Sequence, residues 1–237
     1  MSPIAAVKSR MLRPLFLLAM AWGSALITWG SLPYFLGDDE HPFILEKIDN
    51  VHLASEAAWI TALHVHVVAA AFALPACIAL VLHSVQRRFP RVHRWLGRLT
   101  GAVVLLALVP SGGYLAFWAK GGAPSTAGFL SSGGIAAFAM VQGVRAARAR
   151  DYVAHRRCMA HVLAQLSVAV TSRAMLVLFD FAGVDPEPAY IAALWVPVIA
   201  SALAAELAAS PIRRRKRGDR RNDDAARVHL LVRGAAR

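Results

Sequence analysis

Six apolar stretches, each close to 20 residues and separated by short polar ones, dominate this sequence. Crossing about 30 Å of hydrocarbon takes roughly 20 helical residues. Stretches of that length and number have no place in a water-soluble fold of 237 residues. The spans are expected at about 12–32, 58–83, 99–119, 126–144, 158–181 and 189–209. Residues 1–210 then form an all-α integral membrane bundle of about six transmembrane helices. Residues 211–237 are left as a basic tail, expected to be disordered in the cytoplasm. The loops are too short to hold a soluble catalytic domain, and 57% of the residues are hydrophobic.

The charges orient the bundle. Formal net charge is +12, with 26 Lys and Arg against 14 Asp and Glu. On a soluble chain this would suggest nucleic acid. Here the cations lie at the N-terminus, at Arg87 to Arg98, at Arg145 to Arg157 and in the tail from Arg213. No basic patch interleaved with aromatics is present, so no nucleic-acid partner is expected. The other loops are acidic or nearly bare. An even number of spans puts every basic segment, and both termini, in the cytoplasm. Trp29, Tyr34, Trp59, Trp118, Tyr190 and Trp195 cluster mostly at the opposite ends, as an outer aromatic belt would. The first span lacks a small-x-small cleavage site and reads as an uncleaved anchor. The acidic stretch after it carries Phe43, Ile44, Ile48 and Val51 at helical spacing, which predicts a short amphipathic helix on the membrane surface. Anionic lipid headgroups are the expected partners of the basic loops and tail. Cys77 and Cys158 are expected at different depths, which argues against a disulfide, and both read as packing residues.

Several helices carry breaking residues: Pro110-Ser111-Gly112-Gly113, Gly133-Gly134, Pro75 and Pro197. These either allow close helix packing or mark non-helical backbone lining a wet cavity.

Four strings have a distinctive order and spacing. Leu63-His64-Val65-His66 lies in the second span, and His93-Arg94-Trp95-Leu96-Gly97-Arg98 opens the third. Ala154-His155-Arg156-Arg157-Cys158-Met159 opens the fifth, which also carries Ser172-Arg173. Over roughly His64 to Gly183 the chain resembles a bacterial family of predicted membrane proteins, domain-of-unknown-function family 2306. The resemblance implies a bacterial multipass membrane protein, hence an inner-membrane location, and supplies no activity. His161 departs from the pattern expected of that family, so any role for it is particular to this sequence.

Ionisable residues within spans cost roughly 2.5–3.5 kcal/mol each at a helix centre. His64 sits roughly 9 Å from the outer start of its span and Arg173 roughly 12 Å from the outer end of its own, at 1.5 Å per residue. His64, His66 and Arg173 are therefore the candidate ligand-binding residues, in the outer half. A guanidinium there suits a planar carboxylate or phosphate, and an imidazole can donate, accept or exchange a proton. The packing alternative has Arg173 snorkelling to Asp180 while the histidines bond across helices. A second polar cluster, His161 with Gln165 and Glu206, is expected near the cytoplasmic face, where an interfacial ion pair is the simpler account. His93 and His155 are expected in loops, meeting headgroups or capping helices. For a b-type haem, His83 and His161 are the pair at similar depth; the repeated histidine spacing of a two-haem cytochrome is absent.

These observations favour binding or transport of a small anionic or quinone-like ligand. A b-type haem electron-transfer protein and a structural or assembly protein without ligand are the alternatives. No nucleophile with its base, phosphate loop or metal-ligand spacing is present, so neither hydrolase nor ATPase chemistry is expected. The orientation has a direct check. Reporters fused after Arg217 and within Arg87 to Arg98 should report cytoplasm, and one between Gly37 and Glu56 should report periplasm. A periplasmic signal from the tail would mean an odd number of spans.

Overall fold

The computed structural model describes residues 3–35, 42–50, 53 and 55–209. The tail at 211–237, the acids Asp38, Asp39 and Glu40, and Val51 lie outside the described residues. The helices in chain order are α1 (Pro3–Gly30), α2 (Pro42–Asn50), α3 (Glu56–Val81), α4 (His83–Arg88), α5 (Pro90–Val103), α6 (Val109–Ala116), α7 (Gly122–Arg148), α8 (Tyr152–Phe181) and α9 (Pro186–Ala209). A 3-10 turn, Leu32–Phe35, follows α1, and a π-turn, Val104–Leu108, joins α5 to α6. No strand occurs among the described residues.

Five helices are long and apolar enough to cross a membrane: Glu56–Val81, Pro90–Ala116, Gly122–Arg148, Tyr152–Phe181 and Pro186–Ala208. In α1 a shorter apolar stretch, Pro14–Gly30, stands where the first span is expected. The fold is thus a multispan helical bundle of about six helices.

Local chemistry sets the helix starts. Ser55 caps α3, its hydroxyl accepting from the Ala58 N–H at 3.3 Å. Asp151 caps α8, its carboxylate accepting from Val153 and Ala154 at 3.1 and 2.9 Å. Ahead of α7, Gly121 takes φ 82°, a left-handed conformation that glycine adopts without strain.

Two expectations need correction. The third span begins at Pro90 rather than near residue 99, because proline suits the first helical position. His93 and Arg94 to Arg98 are therefore helical, and His155 lies in the first turn of α8. Gly133-Gly134, open to either reading, stays helical, since α7 runs through it uninterrupted. The third span is irregular where it approaches Pro110: its ladder widens to a π-turn, and the Val109 N–H reaches back to the Val104 carbonyl.

Packing centres on α8, which lies against α7 and α9 along much of its length, and on α3, which touches α1, the third span and α8. The central cluster joins Ala69, Ala73 and Cys77 of α3 to Val104 and Leu108, to Ala139 and Met140 of α7, and to Val162 of α8. Small residues bring backbones together where lipid gives no hydrophobic drive. A Cβ added at Gly128 would stand 2.6 Å from Leu194 Cδ2. At Gly143 it would run into Met159, and at Gly23 into Val170.

The amphipathic helix is present as α2, but its apolar face docks on the bundle rather than on lipid. Ile44 is 1% exposed and packs with Trp59 and Leu63 of α3, with Tyr114, Leu115 and Trp118 alongside. Lys47 Nζ donates to the Trp118 carbonyl at 2.8 Å. Burial holds the Lys47 ammonium below its ordinary pKa; Lys120 adds to this and Glu46 opposes it. Truncating Ile44 to Ala should cost about 2–5 kcal/mol of local packing. The expected outcome is protease sensitivity confined to residues 42–50, with the melting temperature of the spans little changed. Unchanged protease resistance would show that α2 is held by other contacts.

Candidate functional site

Residues of the second span face two ways. His66 points at the third span. Its Nδ1 lies 3.3 Å from the Leu108 carbonyl and 3.4 Å from the Ser111 hydroxyl. The ring also packs on Gly112, where an added Cβ would sit 2.8 Å from its Cε1 and 3.0 Å from its Nδ1. The sequence creates this seat in two steps. Pro110 has no N–H to give the carbonyl of Leu106, four residues back, and the adjoining π-turn shifts the ladder, so the helix is irregular where His66 meets it. Ser111 Oγ serves Ala107 at 2.6 Å and Leu108 at 3.3 Å, and the imidazole supplements it. A carbonyl partner makes Nδ1 the N–H of the neutral ring and leaves Nε2 as an acceptor.

His64 is half-buried and lies on a different side of α3, about 200° from His66 at 100° per residue. Arg173 is an exposed residue of α8 whose Nη1 donates to the Ala169 carbonyl at 2.9 Å, one turn back on its own helix. Its charge reaches both His66 on α3 and Tyr190 on α9. The Arg173 charge therefore acts across to two other helices. Asp180, seven residues beyond Arg173, is exposed.

The second cluster lies toward the other end of α8. His161 Nε2 is 3.0 Å from Glu206 Oε1, and Arg157 Nη2 donates to Glu206 Oε2 at 2.7 Å. The Arg157 and Glu206 side chains are 58% and 46% exposed, so the pair adds little to stability. Gln165 is different. It is 4% exposed and joins three helices. Its Oε1 accepts from Ser132 of α7 at 2.9 Å, and its Nε2 donates to the Val198 carbonyl at 3.4 Å and to Ser201 Oγ of α9 at 3.2 Å. His83 is exposed in the short helix α4. A haem on His83 and His161 would have to draw His161 Nε2 away from Glu206. Among the described residues no three His, Cys, Asp or Glu side chains stand close enough to share a metal ion.

The two histidine strings at the helix starts also meet, which sequence reasoning did not foresee. His155 Nδ1 is 2.9 Å from the Gly143 carbonyl at the end of α7. His93 on α5 is near enough to His155 to interact electrostatically, and its Nδ1 is buried without a hydrogen-bond partner. The arginine beside them, Arg98, stacks on Trp95 at 5.1 Å.

A family model described as a predicted membrane protein (DUF2306) matches residues 63–209, more than half of the chain. No curated protein and no solved structure matches. The matched stretch begins one residue before His64 and includes Gly112, Arg173 and Glu206.

The His66 seat can be tested by filling it. Gly112→Ala should displace the imidazole and cost about 1–3 kcal/mol, the usual range for overpacking. Gly113→Ala, whose Cβ would meet Leu130 at 3.8 Å, should be tolerated. Thermal unfolding in detergent separates the two; equal melting temperatures would show that His66 is not held tightly.

Proposed function

We propose, from a chain that belongs to the DUF2306 family of predicted membrane proteins, that this bundle binds a small ligand with an anionic or quinone-like head in the outer half of the membrane. The site would be built by Arg173, His64 and His66, with the inner membrane of a bacterium as its setting. Binding, or transport that begins with binding, is the activity. One observation carries the reading: the Arg173 guanidinium lies within electrostatic reach of His66 and of Tyr190, on two other helices.

Each residue has a chemical part. Arg173 supplies a permanent charge and several N–H donors in a planar fork. His66, with Nδ1 turned to the third span, keeps Nε2 as an acceptor for a ligand hydroxyl or a proton. His64 stands two residues earlier and supplies a second imidazole from the neighbouring face. Transport would use the third span as its moving part, since a π-turn beside a proline is a ready place for a helix to bend. The cytoplasmic group Arg157, His161 and Glu206 would then mark the inner end of the path.

The test is Arg173→Lys, which keeps the charge and loses the fork. Short-chain quinones and small carboxylates or phosphates are titrated into purified protein, with binding followed by thermal shift or calorimetry. A ligand that binds the native chain should bind Arg173→Lys about tenfold or more weakly, equivalent to 1.4 kcal/mol. Unchanged binding would remove Arg173 from the site. A snorkelling side chain is as well served by lysine.

A further inference from the structure

Trp59 stands in the first turn of α3, yet only 3% of it is exposed. A tryptophan at the outer end of a span ordinarily sits among the headgroups. Here α2 covers it. Two stripes run inward beneath that cover and face each other. On α3, Trp59, Leu63 and His66 follow at spacings of four and three. On the third span Ser111 and Leu115 are four apart, and Trp118 lies just past its outer end. The stripes meet at their inner end, where His66 Nδ1 is 3.4 Å from the Ser111 hydroxyl. At their outer end Ile44 of α2 is set among Trp59, Leu63, Leu115 and Trp118. His66 therefore lies one layer beneath Ile44.

Among the described residues the cover is held at three points. Ile44 and Ile48 supply its apolar face, and Lys47 Nζ donates to the Trp118 carbonyl at 2.8 Å. Leu45 and Glu46, between them, are exposed. A helix of nine residues cannot stand alone, since isolated helices shorter than about 12–15 residues are marginal in water. Undocking α2 therefore costs its helix as well as its seat, and nothing of the spans. Local openings of that kind lie far below the free energy of global unfolding.

We propose that α2 is a lid on the outer mouth of the seam between α3 and the third span. Docked, it separates the His66 imidazole from the outer aqueous phase. Undocked, it opens a path between Leu63 and Leu115 down to that ring. This rests on the ligand site proposed above and adds its regulation: the His66 side of the site is loaded from outside only while α2 is lifted.

Ser111→Cys places a thiol on the floor of the seam with almost no change in size. The full chain in nanodiscs is treated with two water-soluble methanethiosulfonates, the anionic sulfonatoethyl and the cationic trimethylammonioethyl reagents. Modification is followed peptide by peptide by mass spectrometry, each rate taken relative to that reagent's rate with free cysteine. Buried Cys77 reports any general opening of the bundle. Ile44→Ala removes the apolar anchor and Lys47→Met the latch. Each should speed modification of the introduced thiol by about tenfold or more. Leu45→Ala, on the exposed face of α2, should leave the rate unchanged. Leu115→Cys, one layer further out, should react faster than Ser111→Cys with every form of α2.

Rates indifferent to both Ile44→Ala and Lys47→Met would overturn the lid. Equal acceleration by Leu45→Ala, or Cys77 modified as fast as the introduced thiol, would overturn it too, because both mean general loosening. Ser111→Cys reacting faster than Leu115→Cys would show entry from below, with the same consequence. The two reagents separate the lid from the site beneath it. With α2 undocked the anionic reagent should be the faster, because the Arg173 charge acts on His66. Equal rates would overturn the anionic ligand and leave the lid standing.

Discussion

In hydrocarbon no water replaces a lost backbone partner, and this constraint governs where polar side chains stand in the bundle. Most of the hydroxyls serve their own helix. Ser167 bonds the Ala164 carbonyl, Thr171 bonds Ser167, Thr100 bonds Leu96 and Ser31 bonds Ile27. Arg173 does the same with Ala169. Several side chains that cross between helices seek a carbonyl near a helix end or a break. Thr126 reaches Ala116, Trp195 reaches Pro124, His155 reaches Gly143 and Lys47 reaches Trp118. His66 belongs to this set, because the π-turn and Pro110 turn the middle of the third span into something chemically like a helix end.

That arrangement separates fixed parts from movable ones. The α7–α8–α9 side is tied by a fully bonded, buried Gln165 and by glycines pressed against Leu194 and Met159. Packing of this kind resists sliding, since any shift leaves either an unpaired amide or a steric clash. The third span is less regular, with a π-turn beside Pro110. Its contacts with His66 are long, at 3.3 and 3.4 Å, and its outer end is covered by α2 alone of the short elements described.

The span pattern was legible in the sequence because length and hydropathy suffice for it. Boundaries were less so. Pro90 to Arg98 carries Arg91, Arg94 and Arg98, which hydropathy reads as loop; the proline at the first helical position was the available signal for an earlier start. The joint depth of His161 and Glu206 could be counted from their helix ends. The partners of Gln165 could not, because they depend on the rotation of three helices about their axes. The seat of His66 was hidden for another reason. A π-turn shifts helical phase by one residue, so a face drawn at 3.6 residues per turn is wrong beyond it. The string Pro110-Ser111-Gly112 signalled a break, and only the backbone shows that Gly112 is small because an imidazole rests on it.

Arg173 is the least economical residue in the spans, and its surroundings bear on why it is there. A cation that serves packing alone gains by leaving the hydrocarbon, and a lysine stem can do that as well as an arginine. The guanidinium instead turns one N–H back to the Ala169 carbonyl, one turn toward the N-terminal end of its own helix. Its field reaches His66 and Tyr190. An arginine in this position raises the local positive potential between α3, α8 and α9. A potential of that sign favours negative charge over positive there, and this is the physical ground of the anionic ligand proposed above.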